Sequence, residues 1–377
     1  MHGDPLMEVS DAMPEDIRLL HRSLSQILSL PSTESVAHPY QVVEQQDDEN
    51  RFQLCCEGCS NMSSVGNDSS ASSLSSVSPC HIYLNNSGTA MRFLTAFAAQ
   101  RKGCSVILDG CDRLRQRPVG QLVDVLKSLG ADIKYIGETG YLPLAINGKT
   151  LSRRQVTLIH PQSSQFVSAL LLIGVEVATD SFSPYITMTR ACIARAYEKA
   201  TRQNPTGDQK SVDWNLLEPD WSAAAFWYEY VAIHGESVFF PDLSSDSLQG
   251  DRIVADIFRL LGVVTEYTPN GVVISRDSSR ALPNSIKVDF SLCPDLYPAV
   301  ALACERLSVE LVAHGTDVLH LKESDRLLSV RQHTDAHDHR MSMALLMADY
   351  PVDDTACIAK SYPSFLSQYT RLHSRTI

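Results

Sequence analysis

Apolar positions along the chain fall into short runs that alternate between the two-residue spacing of strands and the three-to-four-residue spacing of helices. The first run is helical, within Ser10–Leu30, and reads Ile17-Arg-Leu-Leu-His-Arg-Ser-Leu-Ser-Gln-Ile-Leu28 with acids at its start. No strand-rich segment precedes it. From about Pro31 to Pro79 the chain is polar and irregular, and Ser60–Ser78 is dense enough in serine to read as a flexible loop. Leu84-Asn-Asn-Ser-Gly-Thr-Ala-Met-Arg92 then begins small and polar and turns helical through Phe93, Leu94 and Phe97. A strand (Ser105–Asp109), the turn Arg113-Leu-Arg-Gln-Arg-Pro-Val-Gly120, a helix (Gln121–Leu129) stopped by Gly130 and a strand (Asp132–Ile136) follow. Val156–Ile159 reads as a strand running into Pro161-Gln-Ser-Ser-Gln165 and a helix. Pro184 opens another helix, and Lys199–Leu217 reads as a polar connection.

The second half repeats the rhythm. Asp220 caps an apolar helix, Val238–Phe240 is a strand, and Asp251–Leu261 is a helix ended by Gly262. Val263–Tyr267 and Val272–Ser275 flank Asn270-Gly271, a hairpin signal. A strand (Ile286–Phe290) leads through Cys293-Pro-Asp-Leu296 to a helix from Pro298. The recurrence of helix, Gly and strand predicts repeated α/β units with helices packed on sheets. A domain boundary near Glu218 divides the chain into 1–218 and 219–377.

The chain has 377 residues, enough for two domains. At 44% hydrophobic and 20% charged it is an ordinary globular composition, and no apolar run is long enough to span a bilayer. The N-terminus has neither the basic start nor the apolar core of a signal peptide. Ten cysteines without a regular framework suit a reduced, cytoplasmic setting. Cys55, Cys56, Cys59 and Cys80 lack a second close Cys/His pair, so they read as loop thiols rather than a zinc site. A net charge of −12 argues against a nucleic-acid or membrane-surface binder. Any anionic substrate must therefore meet a local concentration of cations.

Candidate anion sites lie where small hydroxyl residues open helices. Ser87-Gly-Thr before the Arg92 helix, and Ser163-Ser-Gln before the Phe166 helix, both present free backbone N–H groups at a positive dipole end. Arg92 and Arg117 stand nearby in sequence, whereas Arg113 and Arg115 read as solvated surface. Lys322-Glu-Ser-Asp-Arg326 taken alone reads as a solvated helix start. Asp338-His-Arg340 places a basic pair at the mouth of an apolar helix, and Lys360 lies beside a small-residue turn.

Taken in order, Asn85-Asn-Ser-Gly-Thr-Ala-Met-Arg92, Arg115-Gln-Arg-Pro-Val-Gly120, Ser163-Ser-Gln165, Pro294-Asp295, Lys322-Glu-Ser-Asp-Arg326, Asp338-His-Arg-Met341 and Ala359-Lys-Ser-Tyr-Pro363 resemble the 5-enolpyruvylshikimate 3-phosphate (EPSP) synthase family. The resemblance implies two similar domains of repeated βαβαββ units with the active site in the cleft between them. It implies transfer of the enolpyruvyl group of phosphoenolpyruvate to the 5-hydroxyl of shikimate 3-phosphate by addition and elimination, in a monomer without metal or organic cofactor. By the same resemblance, Gly88, Arg117, Gln165, Arg326, Arg340 and Lys360 would hold phosphoenolpyruvate. Ser163, Ser164, Gln165, Tyr185, Asp295 and Lys322 would hold shikimate 3-phosphate. Asp295 and Glu323 would be the catalytic carboxylates, Asp295 taking the proton of the attacking hydroxyl and Glu323 serving the methylene carbon.

Three positions depart from the family pattern. Its N-terminal strand and Lys-Ser-x-x-x-Arg substrate loop are not found, and residues 1–14 hold no Lys. Between Val330 and His333 about one α/β unit of roughly 30 residues is missing. Phe182 stands where the family has Ser. Two alternatives follow: a UDP-N-acetylglucosamine enolpyruvyl transferase of the same fold, and a non-catalytic binding protein descended from the synthase.

Overall fold

The computed structural model describes residues 79–203, 219–241 and 243–373, with short pieces at 7–8, 19–20, 23–24 and 26–27. The serine-dense loop, Cys55, Cys56, Cys59 and the expected boundary at Glu218 lie outside the described residues. The first strand, β1, is Met7–Glu8. One complete βαβαββ unit comes next: β2 (Cys80–Tyr83), α1 (Gly88–Gln100), β3 (Ser105–Asp109), the short α2 (Asp112–Arg115), α3 (Gly120–Ser128), β4 (Asp132–Tyr135) and β5 (Leu144–Asn147). A shorter run, β6 (Val156–Thr157), α4 (Ser164–Leu172), β7 (Val177–Ala178) and α5 (Pro184–Gln203), completes the first half.

The second half holds α6 (Trp221–His234), β8 (Val238–Pro241), α7 (Val254–Leu260), β9 (Val263–Thr268) and β10 (Gly271–Arg276). It continues with β11 (Ser285–Asp289), α8 (Tyr297–Arg306), β12 (Glu310–His314), α9 (Arg326–Gln332), α10 (His339–Met347) and α11 (Phe365–His373).

The two four-stranded sheets share one topology. In the first, ordered β2-β3-β5-β4, β2 is parallel to β3 and β5 is antiparallel to both its neighbours. In the second, ordered β1-β8-β10-β9, β1 is parallel to β8 and β10 is antiparallel to both its neighbours. Thus β1, α6, β8, α7, β9 and β10 retrace the path of the first unit, with the first half inserted between β1 and α6. The expectation that no N-terminal strand is present is corrected to this extent. A two-residue strand has no periodicity to read, and only its partner β8 identifies it. Each half also has a two-stranded parallel sheet, β6-β7 and β11-β12, as crossover helices require.

Each half has its own apolar core. Leu94, Leu108, Leu122, Leu126, Leu144 and Phe166 are fully buried in the first. Trp221, Phe226, Trp227, Phe258, Phe290 and Phe365 are fully buried in the second. Helix α6 is apolar on almost every side, as a helix enclosed by other elements must be. Asp220 caps it by accepting from Ser222 N at 2.8 Å, and Gly235 ends it with φ +83°, a conformation glycine adopts without cost. Helix α5 runs to Gln203, so the polar segment expected from Lys199 begins inside a helix.

Residues 333–338 lead from α9 to α10, and His333, Ala336 and His337 there all have positive φ. Buried Asp335 ties this turn together: Oδ1 accepts from His337 N, and Oδ2 accepts from Asp353 N and Asp354 N, both at 2.8 Å. The turn delivers Asp338 to the start of α10, beside Arg326.

Candidate active site

The N-termini of α1 and α4 lie side by side in the first half. Ser87 Oγ caps α1 by accepting from Ala90 N, and Ser163 Oγ caps α4 by accepting from Gln165 N. Gln165 joins the two, its Oε1 accepting from Arg92 Nη1 at 2.7 Å and its Nε2 donating to Thr89 Oγ1 at 2.8 Å. Arg92 is buried over the Phe166 ring. Burial, then the neighbouring Arg117, lowers its pKa to about 9, so it is still protonated at neutral pH. A Cβ on Gly88 would lie 2.5 Å from Arg117 Cζ and 2.6 Å from Arg92 Nη1, so the residue type lets two guanidiniums lie against the helix start.

These are flexible tips, so Gly88→Ala is expected to fold normally and to displace both guanidiniums. The Michaelis constant for phosphoenolpyruvate then rises on the order of tenfold, the worth of one charged hydrogen bond, while the melting curve stays put. An unchanged Michaelis constant would remove Gly88 from the site.

Facing these groups, the second half presents carboxylates and cations in one interlocked cluster. Arg326 is 1% exposed and touches three carboxylates: Nη1 reaches Asp295 at 2.7 Å, Nη2 reaches Glu323 at 3.1 Å, and Nε donates to Asp338 at 2.9 Å. Asp295 also meets Lys322 at 3.1 Å and Arg340 at 3.3 Å. Glu323 also meets Lys360 at 3.0 Å and Arg117 of the first half at 3.6 Å. Lys360 Nζ donates in addition to the Asn86 carbonyl, just before α1.

Burial alone would raise the two acidic pKa values, but their cations prevail. Arg340, Lys322 and Arg326 hold Asp295 well below the usual carboxylate range. Lys360, Arg117 and Arg326 do the same for Glu323. His339 is the contrary case: burial pushes its imidazole down to about 3, so it is neutral at neutral pH.

Tyr185, at the start of α5, donates to Asp251 of the second half. Asp251 is 1% exposed and also accepts from Ser222 Oγ. Burial first, and then the charge of Asp295, raises its pKa to about 6. A carboxyl whose folded pKa exceeds its unfolded value favours folding below the unfolded pKa and loses that advantage as pH rises through about 6. Asp251→Asn is therefore expected to gain stability over the parent by about 2–3 kcal/mol between pH 4 and pH 7, read from urea unfolding. An equal difference at both pH values would refute this assignment.

The described residues thus bring Gly88, Arg117, Gln165, Asp295, Lys322, Glu323, Arg326, Arg340 and Lys360 together. Ser163 and Ser164 stand at the start of α4 and Tyr185 at the Asp251 edge. Three buried partners had no site role in the sequence reading: Asp338 and His339, named there only within a motif, and Asp251, named only as a helix start. Lys322–Arg326 is not a solvated helix start, since Arg326 is enclosed. Nor is Arg113 solvated surface, for it donates to main-chain carbonyls of the opposite half at Lys322 (2.6 Å) and Glu323 (3.0 Å). Arg115 does lie at the surface, paired with Asp109. Phe182 is 90% exposed. Among the described residues no group of three or more His, Cys, Asp and Glu is placed to hold a metal ion.

The family model for EPSP synthase (3-phosphoshikimate 1-carboxyvinyltransferase) matches residues 57–333. The chain belongs to the EPSP synthase family. Relatives named 3-phosphoshikimate 1-carboxyvinyltransferase include one from Bacteroides fragilis, 31% identical over 332 residues, covering 74% of this chain and 80% of the relative. Another, from Methanospirillum hungatei, is 29% identical over 349 residues, covering 78% of this chain and 80% of the relative. The solved EPSP synthase of Acinetobacter baumannii shares the fold with a TM-score of 0.55 at 22% identity, covering 78% of each chain. EPSP synthase membership favours neither the UDP-N-acetylglucosamine reading nor the non-catalytic one.

Proposed function

We propose that this chain transfers the enolpyruvyl group of phosphoenolpyruvate to the 5-hydroxyl of shikimate 3-phosphate, releasing phosphate. The observation that carries the reading is the pairing of Asp295 and Glu323 within a shell of five cations drawn from both halves of a chain whose net charge is −12. Both substrates are phosphorylated, and bringing them together is unfavourable unless fixed positive charge surrounds them. The relatives' names supply the substrates.

In this reading Arg117, Arg326, Arg340 and Lys360 hold phosphoenolpyruvate with the backbone at Gly88. Ser163, Ser164, Gln165, Tyr185 and Lys322 hold shikimate 3-phosphate. Asp295 accepts the proton of the 5-hydroxyl as its oxygen bonds to the enol carbon, and Glu323 delivers a proton to the methylene carbon. Elimination reverses the second transfer: the methyl carbon returns a proton to Glu323 and phosphate departs. Phosphoenolpyruvate competes with Glu323 for Arg117 and Lys360, so substrate binding itself raises the proton affinity of Glu323. The two halves, 1–218 apart from β1 and 219–377 together with it, act as the substrate domains of one cytoplasmic monomer. No described helix is long and apolar enough to cross a membrane.

The test is phosphate release from phosphoenolpyruvate, with and without shikimate 3-phosphate. Release only with both present is expected. No release from folded chain would overturn the reading and favour a binding protein.

A further inference from the structure

We propose that Arg113 is a positioning residue that holds the Lys322–Glu323 main chain in place for enolpyruvyl transfer, a role that rests on the transferase reading above. Arg113 lies in α2 of the first half, yet its guanidinium ends on the second. Its Nη2 donates to the carbonyls of Lys322 at 2.6 Å and His320 at 3.2 Å, and its Nε donates to that of Glu323 at 3.0 Å. Nη1 donates to Gln116 Oε1 at 3.2 Å, which fixes the plane of the fork.

The segment it grips has little local support. A single 3₁₀ turn, Leu319–Leu321, precedes it, and α9 begins only at Arg326. Carbonyls between two such elements need an outside donor. A planar guanidinium can serve three of them at once, and a lysine ammonium cannot match that fork.

The same turn grips Glu323 a second time. Arg117, just beyond the end of α2, faces the Glu323 carboxylate at 3.6 Å while Arg113 holds its carbonyl. One turn of the first half therefore sets both the backbone and the side chain of the proposed proton carrier. Arg113 touches none of the side-chain groups assigned to catalysis or to the substrates, so its removal acts through the main chain of Lys322 and Glu323. The charged and titratable groups facing the Glu323 carboxylate are Arg92 and Arg117 from the first half, and Arg326, Asp338, His339 and Lys360 from the second. Loosening the segment separates Glu323 from Arg117 and Lys360 and lets its depressed proton affinity recover.

The experiment compares Arg113→Ala and Arg113→Lys with the parent full-length chain. Phosphate release is followed from pH 4 to 9 with both substrates, and amide hydrogen exchange is followed across residues 319–326. In Arg113→Ala, kcat is expected to fall roughly tenfold to a hundredfold, the worth of hydrogen bonds to a charged donor, with little change in the Michaelis constant for phosphoenolpyruvate. The alkaline limb of the kcat profile, which the protonated Glu323 of the first step sets, moves to higher pH, and exchange at 319–326 accelerates. Arg113→Lys recovers part of the rate. Parental kcat, pH profile or exchange in Arg113→Ala overturns the proposal. So does a rate loss that follows only the folded fraction in circular dichroism. A parent chain that releases no phosphate overturns the transferase reading instead, and the exchange data then decide whether the grip itself exists.

Discussion

Glu323→Gln is expected to lower kcat by about 10²–10⁴-fold, the usual contribution of a positioned acid–base group, without weakening phosphoenolpyruvate binding. The substitution keeps size and shape but removes the proton carrier. It also removes one negative charge from among Lys360, Arg117 and Arg326, which stand 3.0, 3.6 and 3.1 Å away. Those cations then face the anionic substrate with less internal compensation, so the Michaelis constant for phosphoenolpyruvate stays level or falls. A variant that merely loosened the site would raise it. Steady-state phosphate release at pH 7 separates the cases, and parental turnover would remove Glu323 from the chemistry.

How much of this was legible in the sequence depends on the kind of signal. The α/β units were legible because strand and helix periods alternate and Gly130 and Gly262 punctuate helix ends. Strands β2, β5, β7 and β12 were not, since short runs such as Val177-Ala178 carry no period and are defined by their partners. The site motifs were legible as anion-binding turns, and the resemblance gave them roles. What no local pattern could show is which charges turn inward. Lys322–Arg326 has the look of a solvated run until Asp295 and Asp338, distant in sequence, close around Arg326. Arg113 and Arg115 are two residues apart with the same side chain, yet one spans to the other half and one pairs with Asp109. A four-residue helix points them to opposite sides, and only packing decides which meets a carbonyl.

Arg326→Met is expected to destabilise the chain by about 3–5 kcal/mol at pH 7, the cost of leaving buried carboxylates without their cation. Arg326 is the shared counter-ion of Asp295, Glu323 and Asp338. Asp295 retains Lys322 and Arg340, and Glu323 retains Lys360 and Arg117. Asp338 fares worst. It is wholly buried, keeps the Ser324 hydroxyl and the Arg340 amide, and among the described residues has otherwise only the neutral His339 ring at 4.0 Å. Its carboxylate also caps α10, so protonation loosens the helix that carries Arg340.

The pH dependence fixes the cause. In the parent, the cations depress all three acidic pKa values against the pull of burial. A carboxyl with a folded pKa below its unfolded value adds stability above the unfolded pKa and loses it as pH falls through the folded one. The gap between parent and Arg326→Met in urea unfolding should therefore be full at pH 7 and shrink below about pH 4, where the variant's carboxyls protonate at little cost. Arg326→Lys should recover only part of it, because one ammonium cannot reach three carboxylates in the guanidinium's geometry. A gap of the same size at pH 3 and pH 7 would mean that Arg326 acts by filling space rather than by charge.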